Sequence, residues 1–120
     1  MRPERLYLQD MVEAADSIAF HIESRSREQF ESDRTVRAAV LHELTVIGEA
    51  AARLTEEFRN RHPAVPWAKI VAFRNLVVHE YFGLDWTIVW NTATTLVPGL
   101  REQVADVLTA ESPEGSGSEP

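Results

Sequence analysis

The segment from Arg74 to Tyr81, RNLVVHEY, holds the side chains best suited to chemistry. A histidine takes or gives a proton near neutral pH, and an arginine can bind a phosphate through two hydrogen bonds and offset the charge of a phosphoryl transition state. Asn75 could orient either group. This set suits cleavage of RNA without a metal ion. The ribose 2′-hydroxyl would attack its own phosphate, His79 would transfer the proton, and Arg74 would offset the developing charge.

Helical spacing would bring these polar residues together. On a wheel of about 100° per residue, the polar residues of the segment other than Glu80 fall within an arc of about 160°. The opposite side carries Ile70, Phe73, Leu76 and Val77, so the helix is expected to bury those four and to present the polar residues together. Glu80 falls among the apolar residues. Either the helix ends there or Glu80 has a partner elsewhere.

The motif has a single histidine to transfer protons, and this suggests that the site lies between two subunits. A complete acid-base cycle benefits from two proton-transfer groups, and the motif supplies one histidine. A symmetric dimer would bring a second His79 and would place the site at the subunit interface. A structural alternative stays open, because an isolated histidine on a helix is more often a capping or core-edge residue than a catalyst.

The remaining histidines give no sign of a metal site. His21, His42 and His62 are scattered, with no His-x-x-x-His spacing and no carboxylate placed to complete a ligand set. The chain has no cysteine, which excludes disulfides and thiolate metal ligands. We therefore expect no metal and no cofactor.

Several other residues are expected to have packing roles. Glu43 and Glu49 lie on or beside the apolar stripe of a helix, where a hydrogen bond between helices is the expected role. Gly48 is expected to permit the close approach of another helix. The large aromatic residues are expected in the core or in a dimer interface: they are Tyr7, Trp67, Trp86 and Trp90.

Apolar periodicity predicts two helices in the first half of the chain. The first runs from Pro3 to about Ser24. The polar segment 24–33 is expected to be a connection, with Ser32 or Asp33 available to cap the second helix. That helix carries one continuous apolar stripe from Val36 to Phe58.

The second half is predicted to form two more helices. Pro66 can open a helix from Trp67 to about Phe82, with Gly83 placed to end it. A buried strand is the alternative for IVAFRNLVV, but the helical phase of the polar residues favours the helix. The last helix is expected to begin near Asp85, to run through Leu108, and to kink or split at Pro98-Gly99. The fold class predicted is all-α.

The length and the net charge of the chain restrict the kind of nucleic acid that it could bind. The chain has 120 residues and a formal net charge of −7, which is unsuited to binding a long duplex through a broad basic surface. Five basic and two acidic residues lie between Arg53 and His79, a local charge of +3 that suits a short piece of RNA. Residues 1–110 are expected to form one domain, followed by a disordered acidic tail over residues 111–120.

No apolar run approaches the length of about 20 residues that a membrane span needs. The N-terminus leads into no apolar stretch typical of a signal peptide. We therefore expect a soluble, cytoplasmic protein.

These features together resemble a known family. RNLVVHEY matches the Arg-Asn-x-x-x-His-x-Tyr motif of HepT-like toxins, members of the HEPN (higher eukaryotes and prokaryotes nucleotide-binding) superfamily. The order of features agrees as well: IGEAAARL, then HPAVPWAKIVAFRNLVVHEYFGLDWTIVW, then a last helix that contains a proline. The resemblance spans residues 3–108.

The resemblance implies a HEPN-type up-and-down bundle of four to five helices and a homodimer with the motif at its interface. It implies a metal-independent ribonuclease toxin with Arg74 and His79 as the catalytic pair and Asn75 as a supporting residue. The partner implied is a minimal nucleotidyltransferase antitoxin, which would transfer AMP from ATP to Tyr81. That modification would bring negative charge and bulk beside Arg74 and exclude the RNA phosphate.

Two other functions stay open from the sequence. In one, the same polar face only holds a nucleotide or docks a nucleotidyltransferase, without cleavage. In the other, the protein is a structural dimerisation module, and the motif is a polar packing cluster.

Overall fold

The computed structural model describes residues 2–111, which form an all-α bundle with no strand in that range. Four long helices make up the bundle: α1 (Glu4–Ile22), α3 (Arg34–Arg53), α5 (Trp67–His79) and α7 (Val97–Glu111). Three short helices join them: α2 (Arg27–Ser32), α4 (Glu56–Arg61) and α6 (Trp86–Asn91). The predicted fold class and the helical state of IVAFRNLVV are thus confirmed.

The long helices are arranged around α1 and α3. Helix α1 packs against both α3 and α7, and α3 packs against α5 on its other side. Buried residues of α1 recur at helical spacing, as at Leu8, Met11 and Ile18, and those of α3 follow the predicted stripe through Val40 and Leu44. Among the described residues, every side chain buried to the level of the core is apolar.

The connection 24–33 is not simply polar, as its composition predicted, but contains helix α2. Ser26 and Gln29 form a reciprocal capping box at its start, with the Ser26 Oγ accepting from the Gln29 amide at 3.1 Å. Phe30 is fully buried, with its ring against two tryptophans of the last part of the chain, Trp86 and Trp90.

The start of α3 is capped as predicted. The Asp33 carboxylate accepts a hydrogen bond from the backbone amide of Val36 at 3.2 Å. This bond satisfies one of the amide groups that the first turn of a helix leaves without a partner. Of the two candidate caps in the connection, Asp33 is therefore the one in use.

The second predicted helix is shorter than its apolar stripe suggested. Helix α3 ends at Arg53, Leu54 is extended, and Thr55 caps the separate helix α4. Glu4 stabilises this corner, since its Oε2 accepts from both the amide and the hydroxyl of Thr55. Phe58 is buried as the stripe predicted, but on the new helix.

The last predicted helix begins with the Asp85 cap, whose carboxylate accepts from the amide of Thr87. It is interrupted before Pro98. Residues Thr92–Leu96 form a π turn between α6 and α7, in which the Val97 amide donates to the carbonyl of Thr92. Pro98 has no N–H to donate, which favours a break in the ladder of hydrogen bonds here.

The first residue of the predicted tail belongs to helix α7. Glu111, assigned to the tail from its composition, is the last residue of α7. Its carboxylate lies 2.6 Å from Nε2 of His62, with Arg61 also in contact. The hydrogen bond with His62 lowers the pKa of Glu111 from its usual range. Residues 112–120, the rest of the predicted tail, lie outside the described part of the chain.

Candidate active site on helix α5

Helix α5 turns Arg74 towards the core. Its inward side carries the buried Trp67 and Val77 and the partly buried Ile70, and Arg74 lies among them on the helical wheel. Leu76, which we expected to be buried, is 44% exposed. The predicted buried arc was therefore misplaced, and the polar residues do not all share one face.

Gly48 of α3 provides the space for Arg74. A Cβ atom on Gly48 would overlap with the Cβ and Cγ atoms of Arg74, and the Arg74 Cα would lie only 3.5 Å away. The absence of a side chain at Gly48 thus allows the aliphatic part of Arg74 to pack directly on the backbone of α3. The expectation that Gly48 permits a close helix approach is confirmed.

Glu49, the next residue of α3, holds the guanidinium. Its Oε2 accepts a hydrogen bond of 2.5 Å from Nη1 of Arg74. Glu43, earlier in the same helix, accepts from the Ser17 hydroxyl of α1 at 3.1 Å. Both carboxylates therefore make the hydrogen bonds between helices that their positions predicted. The Nε of Arg74 is buried and has no hydrogen-bond partner among the described residues.

The other three motif residues are exposed. Asn75 and His79 lie on the outward side of α5, and Tyr81 is 55% exposed with its ring against Phe82. Within residues 2–111, none of the three side chains makes a hydrogen bond to Arg74 or to another residue. A single chain thus positions the arginine and leaves the histidine open to solvent.

Helix α5 ends at His79 rather than near Phe82. Glu80 is its C-terminal cap, and Tyr81–Gly83 form a separate 3-10 turn. The end of the helix explains why Glu80 did not fit the apolar arc. Tyr81 therefore lies outside α5, and the helical wheel of α5 does not predict the direction of its side chain.

The remaining histidines lie away from this helix face. His21 bonds the carbonyl of Ser17, His62 bonds Glu111, and His42 is exposed. Residues 2–111 contain no group of three or more histidine, aspartate or glutamate side chains arranged to hold a metal ion.

The large aromatic residues pack against the core, as predicted. Trp67 is buried, and Tyr7, Trp86 and Trp90 are partly buried. None of these four rings is therefore offered to solvent as a platform on which a base could stack.

Arg37 is a further candidate site residue, and the sequence analysis did not identify it. Its guanidinium lies 4.9 Å from the ring centroid of Trp86, and its Nε is buried without a hydrogen-bond partner among the described residues. Eleven residues, close to three helical turns, separate it from Gly48 on the same side of α3. The spacing of Arg37 and Gly48 could have placed both residues on one side of α3 from the sequence alone. The contact of Arg37 with Trp86 could not have been predicted from it.

These contacts fix the relative direction of the two helices. Arg74 meets Gly48, and the later residue Trp86 meets the earlier residue Arg37. Between these two contacts the chain therefore runs antiparallel to α3, and His79 lies in that stretch.

Comparison with known proteins assigns the chain to a family. A family model described as "Ribonuclease HepT-like" matches residues 9–107. The chain belongs to the HepT-like ribonuclease family. Two structural features described above thus occur in a HepT-like chain. Gly48 and Glu49 hold Arg74, and His79 ends α5.

Individual relatives support the same assignment. A protein of Caldanaerobacter subterraneus subsp. tengcongensis named "Putative RNase" is 34% identical, over 92% of this chain and 99% of its own length. A protein of Thermococcus cleftensis named "Probable ribonuclease HepT" is 32% identical, over 83% of this chain and 91% of its own. No solved structure gives a significant match. No helix of residues 2–111 is long and apolar enough to cross a membrane.

Replacing Gly48 by alanine should push α3 and α5 apart, because the new methyl group would overlap with the stem of Arg74. We expect a loss of about 1–3 kcal/mol in the free energy of unfolding, the usual cost of overpacking. Urea unfolding followed by circular dichroism measures it. Gly99→Ala is the matched control, since an added Cβ there meets nothing within 4 Å. Equal stability of the two variants would contradict the proposed role of Gly48.

Proposed function

We propose that this HepT-like chain is a metal-independent endoribonuclease, the toxin of a type VII toxin-antitoxin pair, with its site at a homodimer interface. The observation that carries the proposal is the fixed Arg74 followed by an exposed His79 on the same helix. Five residues of α-helix separate their Cα atoms by about 7.5 Å along the axis, a distance that the unbonded His79 side chain can bridge to a phosphate bound at the ordered Arg74 guanidinium.

The reaction proposed is an internal transesterification. The ribose 2′-oxygen attacks the adjacent phosphorus while His79 removes its proton, so a P–O2′ bond forms and the P–O5′ bond breaks. The departing 5′-oxygen takes a proton, and a 2′,3′-cyclic phosphate is left. Arg74 offsets the charge that builds on the phosphate oxygens. Asn75, which is exposed and next to Arg74 in the chain, would orient the phosphate or the imidazole.

A second copy of the chain would supply the second proton-transfer group. Large exposed apolar side chains recur between α5 and the π turn, in the part of the chain that includes His79, and exposed apolar surface is typical of protein interfaces. They are Leu76, Val78, Phe82, Ile88 and Leu96, and Phe82 is fully exposed. A two-fold axis near this surface would bring two copies of His79 together, one as base and one as acid.

The accessibility of Tyr81 supports its proposed modification. Its hydroxyl makes no hydrogen bond to the described residues, and the 3-10 turn holds the ring outward, two residues beyond His79. A minimal nucleotidyltransferase antitoxin would direct the Tyr81 oxygen onto the α-phosphorus of ATP, with release of pyrophosphate. The AMP group would add negative charge beside the site and repel an RNA phosphate.

Purified, unmodified protein should cleave a mixed RNA pool in excess EDTA, and His79→Ala should abolish the cleavage without changing the thermal unfolding profile. His42→Ala is the matched control, since His42 is likewise exposed on a long helix. Gel analysis of the products, together with detection of cyclic phosphate ends, measures the activity. Cleavage by a folded His79→Ala protein would contradict the assigned role. No cleavage by unmodified parent protein would favour the nucleotide-holding or docking function instead.

Co-expression with a cognate minimal nucleotidyltransferase should add the mass of at least one AMP group, as measured on the intact protein. Tyr81→Phe should abolish the adduct, because it removes the acceptor oxygen. Tyr7→Phe should retain it, and Tyr7 is the other tyrosine of the chain. An adduct that survives Tyr81→Phe would rule out Tyr81 as the acceptor.

A further inference from the structure

The outward face of α5 continues from His79 towards the start of the helix. Asn75, Ala72 and Lys69 follow it at intervals of three or four residues, and all are exposed. Because Ala72 has a small side chain, nothing large protrudes from the middle of this face. An extended strand bound at His79 could therefore run along it without a large side chain in its way.

A groove lies at the far end of this face, where α4 meets α5. Its volume is about 530 Å³, within the range of small-molecule sites. Arg59 and Asn60 line it from α4, Pro63 and Pro66 from the connection, and Lys69 from α5. The groove thus combines two basic side chains and an amide with the apolar rings of two prolines, a lining that suits a phosphate and an apolar contact with a base.

The two basic side chains of the groove have no acidic partner within residues 2–111. Neither Arg59 nor Lys69 forms an ion pair there, whereas most of the other arginines in this range do. Glu56 is the acidic residue of the lining and is not bonded to either of them in the described part of the chain. A chain with a net charge of −7 thus concentrates two cations at one groove.

We propose that this groove is a second RNA-binding subsite, which holds the phosphate and base of a nucleotide next to the segment being cleaved. Ten residues of α5 separate Lys69 from His79, about 15 Å along the helix axis. A single strand bound at His79 would thus extend to the groove, with its phosphates facing Arg59 and Lys69. The choice of RNA as the occupant rests on the proposed ribonuclease function.

Single substitutions of the lining test the subsite through binding. An RNA oligonucleotide made uncleavable with 2′-O-methyl groups, followed by fluorescence anisotropy at several salt concentrations, measures the affinity and its salt dependence. Arg59→Gln and Lys69→Gln should each weaken binding several-fold and reduce the slope of log affinity against log salt by about 0.7, the single-strand value per phosphate contact.

Charge-matched controls separate the groove from net charge. Arg34→Gln removes one exposed positive charge from the start of α3, and should leave both the affinity and the slope close to those of the parent. Glu56→Gln should tighten binding, because it removes the negative charge of the lining, whereas Glu13→Gln on α1 should not.

The outcomes distinguish the subsite from the proposed function. Parent protein that cleaves RNA, with Arg59→Gln and Lys69→Gln no weaker than Arg34→Gln, overturns the subsite and leaves the ribonuclease intact. Binding that depends on Arg59 and Lys69 without any cleavage supports the subsite and contradicts the ribonuclease. Loss of antitoxin binding with unchanged RNA affinity overturns the subsite in favour of a protein-binding groove. An absence of RNA binding by the parent overturns both.

Discussion

The contact between Gly48 of α3 and Arg74 of α5 is the constraint on which the candidate site depends. Because Gly48 has no side chain, the stem of Arg74 packs directly on the backbone of α3. The neighbouring Glu49 then accepts a hydrogen bond from the guanidinium. An arginine on a free helix surface would lose rotamer entropy on binding a phosphate, whereas this one is already ordered. One inward side chain thus fixes both the spacing of two helices and the position of a cation.

The same contact determines what α5 presents to solvent. With Arg74 turned inward, the outward side carries His79, Asn75 and Lys69, all exposed. This face forms a polar strip that leads from the motif to Lys69 and the groove at α4. Electrostatic repulsion from the remaining surface would disfavour long nucleic acids, so the strip suits a short single strand.

The sequence predicted the parts of this structure that depend on local periodicity. The stripes of α1 and α3 and the caps at Asp33 and Asp85 obey such local rules. The breaks at Thr55 and within the segment 24–33 were missed, because a hydroxyl cap and a six-residue helix change the chain direction without interrupting the apolar pattern. The capping-box spacing of Ser26 and Gln29 was the signal that could have revealed helix α2.

The orientation of α5 could not be obtained from its own residues. Its wheel favoured burial of Leu76, but a glycine on another helix allows Arg74 to lie inward instead. The sequence did identify Gly48 and Glu49 as residues of a helix contact, without the partner that each one meets. The catalytic roles of the motif residues came from their chemistry and from the family motif, and they stay predictions.

A double-mutant cycle between Glu49 and Arg74 tests the central claim most directly, namely that α3 orders the site arginine for RNA cleavage. Single-turnover cleavage would be measured for the parent, Glu49→Gln, Arg74→Ala and the double variant. If Glu49 acts through Arg74, Glu49→Gln slows the parent but adds no further loss to Arg74→Ala. Losses that simply add would contradict the claim, since the two residues would then act independently.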